Sequence, residues 1–484
     1  MEIKFGTSGW RAIIAEDFTF DNVKLVTQAI AEHVKSTKEQ VAENCVIVGY
    51  DPRFLSEEFA KTSSGVLAGN DIRALYCKRD TPTPVLSYEI VRRKLIGGIN
   101  FTASHNPPEY HGLKFSPYWG GPALPETTKE IERLCKEKDI VSRIKEVSFS
   151  QGIKNKLIQE IDPGETYIKR IKELVDLKVI KKAKLKIGID LLYGTARGYL
   201  DTLIKETDCK TVVIHNYRDV LFNGQGPEPD EERLKELKNI MKEQKLNLGI
   251  ATDGDADRFG IIDSDGTFIT PNQVIAVLLY YLVKNRGWKG VTARSVMTTH
   301  FIDAIAEKYG IEVKETPVGF KYIGDIMVNN PEDFIIGGEE SGGLTIRKHI
   351  PEKDGVLACL LIAEMVAEER KSIKDIIQDI ERQVGRYTSK RVNFHLSQEN
   401  MDRFKQKLQG KPPPDISGNK IKKIVTIDGF KFILEDNSWI GIRLSGTEPV
   451  VRLYVETSSE EKLQSLISAG ERFVKGNLGD TSLN

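Results

Sequence analysis

The chain has 484 residues, room for about three domains at ~150 residues each, and its 70 Lys and Arg balance its 70 Asp and Glu. With no net field to concentrate it on a polyanion, nucleic-acid or membrane-surface binding is disfavoured, and any basic residue that matters must act locally. Five cysteines, at 45, 77, 135, 209 and 359, are odd in number, scattered and without a CxxC pair, which fits free thiols in a reducing, cytoplasmic compartment.

The N-terminus MEIKFGTSGW has no apolar signal core. CVIVGYD at 45–51 is a strand ending in Asp, and it is followed by a helical stretch (LSEEFAKTSSGVLAGN) and a second strand, DIRALYC. Strand, helix, strand in that order predicts parallel pairing through a right-handed crossover. An apolar run, LIGGIN, then leads into FTASHNPPEYHGLKF at 101–115. Pro107 and Pro108 fix φ and hold Asn106 extended, so the turn stiffly aims Ser104 and His105, although an ordinary surface turn uses the same residue types. A seam lies near 148–165, in SFSQGIKNKLIQEIDPGE.

KLKIGID at 184–190, the helix GTARGYLDTLIKE and the strand CKTVVIH repeat the pattern. LGIATDGDADRFGIID follows, where Asp253, Asp255 and Asp257 alternate with small residues directly after an apolar strand and can converge on one hard cation. An EF-hand needs Gly at its sixth place and Glu at its twelfth; Arg258 and Ser264 stand there, so that reading fails, and a solvated acidic turn is the plain alternative. Oxygen-only ligands favour Mg2+ over zinc or copper. Further along, VIAVLLYYLV at 274–283 is half a membrane span and reads as a core helix.

A weaker third copy reads VTARSVMTTH, FIDAIAEKYG and IEVKETPV, and after it FIIGGEESGGLTIRKH at 334–349 sets Glu339, Glu340 and Ser341 between glycine pairs, as acceptors for a polyol would be. Alone, that stretch is equally a Gly-rich turn. Beyond about residue 386 come RYTSKRVNFHL, a helix candidate SQENMDRFKQKL, KPPPD at 411–415 and alternating strands, predicting a smaller α+β domain with an antiparallel sheet. IGIRLSGTEPVVRLYVE at 440–456 reads as strand, polar loop, strand; Arg443, Ser445, Thr447, Arg452 and the N–H groups around Gly446 make a cradle for a phosphate dianion, or only a polar hairpin tip.

Together the loops supply the parts of phosphoryl transfer to or from a sugar. With FGTSGWRA at 5–12, TASHNPP at 102–108, DGDADR at 253–258, GEESGG at 338–343 and RLSGTEP at 443–449 in family order, the sequence resembles the α-D-phosphohexomutase superfamily, the phosphoglucomutase/phosphomannomutase enzymes. The resemblance implies three similar α/β domains with mixed, mostly parallel sheets plus a smaller C-terminal α+β domain around a central cleft. We divide them as 1–148 with the phosphoserine loop, 149–289 with the Mg-binding loop, 290–386 with the sugar-binding loop and 387–484 with the phosphate-binding loop.

By the same resemblance Ser104 is the phosphoserine, and Asp253, Asp255 and Asp257 bind Mg2+ with a phosphoryl oxygen on Ser104. His105, Lys114 and Arg258 surround the transferring group and move protons. Glu339 and Ser341 hold sugar hydroxyls; Arg443, Ser445, Gly446 and Thr447 grip the non-reacting phosphate; Arg11 and Lys321 face the substrate. The implied reaction interconverts hexose 1-phosphate and hexose 6-phosphate through a 1,6-bisphosphate, which also serves as activator, in a monomer or small homo-oligomer. TPVGFKYIG at 316–324 resembles the glucose-preferring branch, with mannose and dual specificity as alternatives. His111 departs from the usual Asn-Gly and bears on how Lys114 is placed.

Two other readings compete. Asp263-Ser264-Asp265-Gly266-Thr267 imitates the nucleophile motif of haloacid-dehalogenase-type phosphatases, with GDIMVN at 324–329 as its acidic loop, but its apolar flanks read as a hairpin. A non-catalytic sugar-phosphate-binding protein is the other.

Overall fold

Short apolar runs ahead of each polar loop form strands buried on both faces, as parallel sheets covered by helices require. The computed structural model describes residues 3–36, 41–395, 397, 399–400, 406, 415–416, 418–444 and 450–478. β1 (Phe5–Gly6), β2 (Gly9–Ile13), β3 (Glu43–Tyr50), β4 (Arg73–Cys77), β5 (Leu95–Phe101), β6 (Tyr110–Pro117) and β7 (Ile158–Ile161) form the first sheet, in the order β1-β2-β6-β5-β3-β4-β7. β8 (Lys186–Asp190), β9 (Lys210–Ile214), β10 (Leu248–Thr252), β11 (Phe259–Asp263) and β12 (Phe268–Ile269) form the second, ordered β12-β11-β10-β8-β9. The third is β14-β13-β15-β16, from β13 (Val291–Ser295), β14 (Glu312–Thr316), β15 (Phe334–Glu339) and β16 (Gly343–Ile346).

These sheets share one four-strand core. β5, β3 and β4 are parallel neighbours with β6 antiparallel beyond β5; β10, β8, β9 and β11 repeat this, as do β15, β13, β14 and β16. The connection from the edge of the parallel set into the antiparallel strand is therefore the same place three times. TASHNPP, DGDADR and GEESGG all sit there.

The fourth sheet is wholly antiparallel, in the order β17-β22-β21-β20-β19-β18, from β17 (Thr388–His395), β18 (Asp415–Ile416), β19 (Asn419–Val425), β20 (Phe430–Leu434), β21 (Trp439–Leu444) and β22 (Val450–Thr457), with the helix Glu460–Leu478 packed on β22. Most of the helix candidate at 397–408 and of KPPPD lies outside the described residues.

The expected divisions at 148/149 and 289/290 are displaced. β7 pairs in parallel with β4 and so completes the first sheet. The apolar run at 274–283 is the core of a helix, Pro271–Lys284, started by a capping box between Thr270 and Gln273, and it packs on β15 and the helix Phe301–Tyr309 of the third unit. Asp354 caps the next long helix, Gly355–Glu369, by accepting from Leu357 N–H at 2.9 Å. That helix packs on β10, β11 and β16, so the second and third units share one core in which Ile250, Ile261, Leu278, Ile335 and Leu360 are buried. Each such side chain contributes roughly 1.5–3 kcal/mol, which ties the DGDADR and GEESGG loops to one solid body. No helix among the described residues is long and apolar enough to cross a membrane.

Candidate active site

Ser104, just beyond β5, is 1% exposed and sits at φ 53°, a left-handed conformation uncommon outside glycine. Its N–H donates to Thr102 Oγ1 at 2.8 Å, and its hydroxyl donates to Asp253 Oδ2 at 2.6 Å. The two loops touch through their backbones: a Cβ on Gly254 would lie 2.7 Å from the Ser104 carbonyl oxygen, so only glycine admits this approach.

Asp253, Asp255 and Asp257 are buried, and each offers a carboxylate oxygen within 4.8 Å of the others. Lys114, on β6, reaches Asp255 Oδ2 at 2.6 Å and Asp257 Oδ2 at 2.8 Å; Lys353 reaches Asp257 Oδ2 at 3.1 Å. Thr83, at the start of the helix Thr83–Arg93, donates to Asp255 Oδ2 at 2.5 Å and is itself held by Asn100 Nδ2 at 2.8 Å. Burial disfavours the charge on Asp257, yet Lys114, Lys353 and Arg258 together outweigh it and hold its carboxyl below the usual range. Asp253 moves the other way, pushed well up by burial and by its two acidic neighbours. Asp255 Oδ1 and Asp257 Oδ1 are buried without a hydrogen-bond partner. A buried carboxylate oxygen left unpaired is costly, and two of them beside Asp253 are the donor set of a hard divalent cation.

His105 Nδ1 lies 3.4 Å from Ser104 Oγ, and its Nε2 lies 3.6 Å from Glu228 Oε2. Desolvation, then the nearby Arg258 and Arg11, push its pKa well below the ordinary value, so the ring is neutral at physiological pH. Arg258 ion-pairs with Glu228 Oε1 at 2.8 Å, and its backbone N–H donates to Asp253 Oδ1 at 2.9 Å. Arg11, on β2, donates to Asn106 Oδ1 at 2.5 Å and so reaches the serine turn from the side. Lys114 contacts the aspartates rather than Ser104, which places its charge behind the cation site. His111 is fully buried, stacked on Phe18 at 4.7 Å, and its Nε2 lies 2.8 Å from Ser56 Oγ; its effect is on the serine turn's underside.

At the third loop, Glu339 ends β15 and accepts from Gly319 N–H at 2.6 Å. Burial first, then Glu340, raise its pKa to about 7. Glu340 is tied to Ser295 Oγ at 2.7 Å, and Ser341 lines a cavity of about 270 Å³ together with Glu228, Glu340, Arg391 and Tyr454. Lys321 is half-buried near Glu126 and Glu339, its pKa lowered by burial. Arg443, at the end of β21, donates to Asp428 Oδ2 at 2.9 Å, and Asp428 also accepts from Val318 N–H at 3.1 Å, linking the fourth domain to the loop before Lys321. Ser445, Gly446 and Thr447 lie outside the described residues. A larger cavity of about 380 Å³, lined by Val91, Tyr118, Trp119, Met327 and Pro331, holds none of these groups.

Sequence reasoning missed Lys353, Glu228 and Thr83. PEKDG at 351–355 and GPEPD at 226–230 were available signals, each a charged residue beside proline and glycine in a connection.

Profiles of phosphoglucomutase/phosphomannomutase α/β/α domain I match residues 2–141, domain II 165–266, domain III 270–384 and the C-terminal domain 397–469. The chain is 30% identical over 481 residues to a phosphoglucomutase/phosphomannomutase of Thermococcus kodakarensis, covering 97% of this chain and 98% of that one. It is 28% identical over 473 residues to a phosphoglucosamine/phosphogalactosamine mutase of Sulfurisphaera tokodaii, covering 98% and 99%. The crystal structure of a Thermus thermophilus protein assigned as a phosphomannomutase superposes with a TM-score of 0.84 at 32% identity, over 98% of this chain and 100% of the other. The chain belongs to the phosphoglucomutase/phosphomannomutase family, within the α-D-phosphohexomutase superfamily, and is a phosphotransferase mutase.

Proposed function

We propose that the chain interconverts hexose 1-phosphate and hexose 6-phosphate through phospho-Ser104 and a hexose 1,6-bisphosphate, with glucose as the preferred hexose. The observation that carries this reading is the 2.6 Å contact between the Ser104 hydroxyl and Asp253, inside a buried triad with two unpaired carboxylate oxygens. Asp253, Asp255 and Asp257 hold Mg2+, which when bound supplies positive charge against the phosphoryl oxygens.

The chain's own groups do the rest. Ser104 gives its phosphoryl to the free sugar hydroxyl, whose proton passes to Ser104 Oγ as the serine P–O bond breaks, the bisphosphate reverses in the cleft, and the other phosphate returns to Ser104 Oγ. The neutral His105 ring, 3.4 Å from that oxygen, takes the serine proton on the return step. Lys114 keeps Asp255 and Asp257 ionised, with Lys353 and Arg258 adding to the effect on Asp257, Glu339 and Ser341 orient the sugar, and Arg443 faces the phosphate that is not reacting. Reversal of the sugar requires the cleft to open, which suits a clamp carried on a separate domain.

Ser104→Ala tests the reading: it should abolish interconversion of glucose 1-phosphate and glucose 6-phosphate while leaving the melting temperature within a few degrees of wild type. Comparison of kcat/KM for the 1-phosphates of glucose, mannose and glucosamine tests the preference. A higher value for either of the latter two overturns the glucose assignment alone.

A further inference from the structure

Two prolines restrict the serine turn, within which Pro107 O accepts from Tyr110 N–H at 3.1 Å. Four of the turn's carbonyl oxygens converge on one guanidinium. Arg53 Nη2 donates to the carbonyls of Ser104 at 2.8 Å and Asn106 at 2.7 Å, and Nη1 donates to those of Pro107 at 2.8 Å and Tyr110 at 3.1 Å. Its remaining donor, Nε, meets Asp51 Oδ2 at 3.0 Å. All five N–H groups of the fork are thus used. Arg53 and Asp51 side chains are both 0% exposed, and the guanidinium carbon lies 4.9 Å over the Phe222 ring, which shields it from the second domain's side.

Asp51 ends the line of anchors beneath. Its Oδ1 accepts from Arg53 N–H at 3.0 Å and from Ser56 Oγ at 2.9 Å, and Ser56 in turn meets His111 Nε2 at 2.8 Å. Gly112 N–H donates to His111 Nδ1 at 2.8 Å, so Nε2 carries the proton and donates to Ser56. Burial, then the Arg53 charge, lower the His111 pKa to about 3, which keeps that ring neutral. The chain from β6 through His111, Ser56 and Asp51 fixes the plane of the guanidinium, and the guanidinium fixes four carbonyls between Ser104 and Tyr110.

We infer that Arg53 is the positioning residue that holds Ser104 in its left-handed conformation with Oγ directed at Asp253. It touches no reacting atom, and the inference rests on the reading of Ser104 as phosphoryl carrier. A lysine cannot substitute: one ammonium has three donors and no planar fork, and it cannot reach four carbonyls and Asp51 together.

The test uses the full chain. Arg53→Ala is compared with wild type for the rate of phosphoryl transfer from glucose 1,6-bisphosphate to Ser104, for KM of the monophosphate, and for amide hydrogen exchange across 103–111. A misplaced nucleophile costs about a hundredfold, so transfer should slow by about that factor while KM moves little. Exchange across the turn should accelerate by about tenfold or more, and added guanidinium ion, but not methylammonium, should restore part of the rate. Arg53→Lys is the second variant, should Arg53→Ala leave Asp51 buried without a partner and fail to fold; it should also slow transfer, by about tenfold or more. Wild-type transfer and exchange in either folded variant, or loss of rate with no response to guanidinium, overturns the inference. If wild type itself takes no phosphoryl on Ser104, the functional reading fails, and the exchange measurement still decides whether Arg53 holds the turn.

Discussion

The two acidic loops of the cleft stand at the same place in their sheets, after β10 and after β15, and they are buried to a similar degree. The carboxyls of Asp257 and Glu339 are shifted in opposite directions. At the first, Lys114 and Lys353 contact the carboxylates directly and Asp257 is held ionised, with oxygens left over for a cation. At the second, Glu339 has one backbone N–H and an acidic neighbour, and its pKa rises to about 7. Burial alone pushes both sets toward the neutral form; direct contacts with Lys114 and Lys353 keep Asp257 charged, whereas at Glu339 burial and Glu340 outweigh the charges of Lys353 and Arg258. One loop is suited to a metal, and the other to a polyol.

The largest effect should come from breaking the charged loop. Asp255→Asn with Asp257→Asn replaces two carboxylates by neutral amides and should lower kcat by roughly a thousandfold, several kcal/mol of lost charge stabilisation. Chelation of wild type should match that loss, be reversed by Mg2+ and leave the melting temperature nearly unchanged. Full turnover in excess chelator contradicts the metal assignment, and unfolding on chelation makes the ion structural.

Arg443→Ala comes next. Each end of the sugar must face that arginine in turn, so forward and reverse kcat/KM should both fall by about ten- to a hundredfold, the scale of ~1.5–3 kcal/mol for a charge-assisted hydrogen bond. Wild-type values for both monophosphates move the anion clamp to Lys321. Arg347 is too far off to serve instead: its Nε donates to Phe334 O at 2.8 Å, at the start of β15 and the far end of the sheet from the cleft.

The smallest effect sharpens the second loop. The folded pKa of Glu339, about 7, lies above its unfolded value of ~4.3, so the folded state holds the extra proton between them. Stability from this group is present below about pH 4.5 and is lost as pH rises through 7, at up to ~1.4 kcal/mol per unit. Glu339→Gln should flatten that slope in denaturant titrations, and an unchanged slope contradicts a raised pKa.

The chemistry-bearing loops were legible because each follows an apolar strand and breaks its pattern with residues that a plain turn does not require. What escaped was long-range. Arg53 follows an aspartate that ends a strand, but the carbonyls it holds lie about fifty positions further on, and nothing local announces them. Lys353 and Glu228 reach the cleft from connections that carry no apolar strand pattern of their own. Within the seam near 148–165 the division at 148/149 was drawn too early, because IQEI at 158–161 is a four-residue edge strand with half its side chains exposed, too short and too polar to show as sheet. The second was misplaced because a helix buried on all sides gives no hint of which sheet it covers.

The central claim is that Ser104 carries the phosphoryl group. Wild-type protein incubated with glucose 1,6-bisphosphate, digested and mapped by mass spectrometry should show one added phosphoryl, on the peptide containing Ser104, that is lost when glucose 6-phosphate is supplied. A phosphoryl found on Asp263 instead, in the hairpin between β11 and β12, would contradict the account and favour a phosphatase-type aspartate nucleophile.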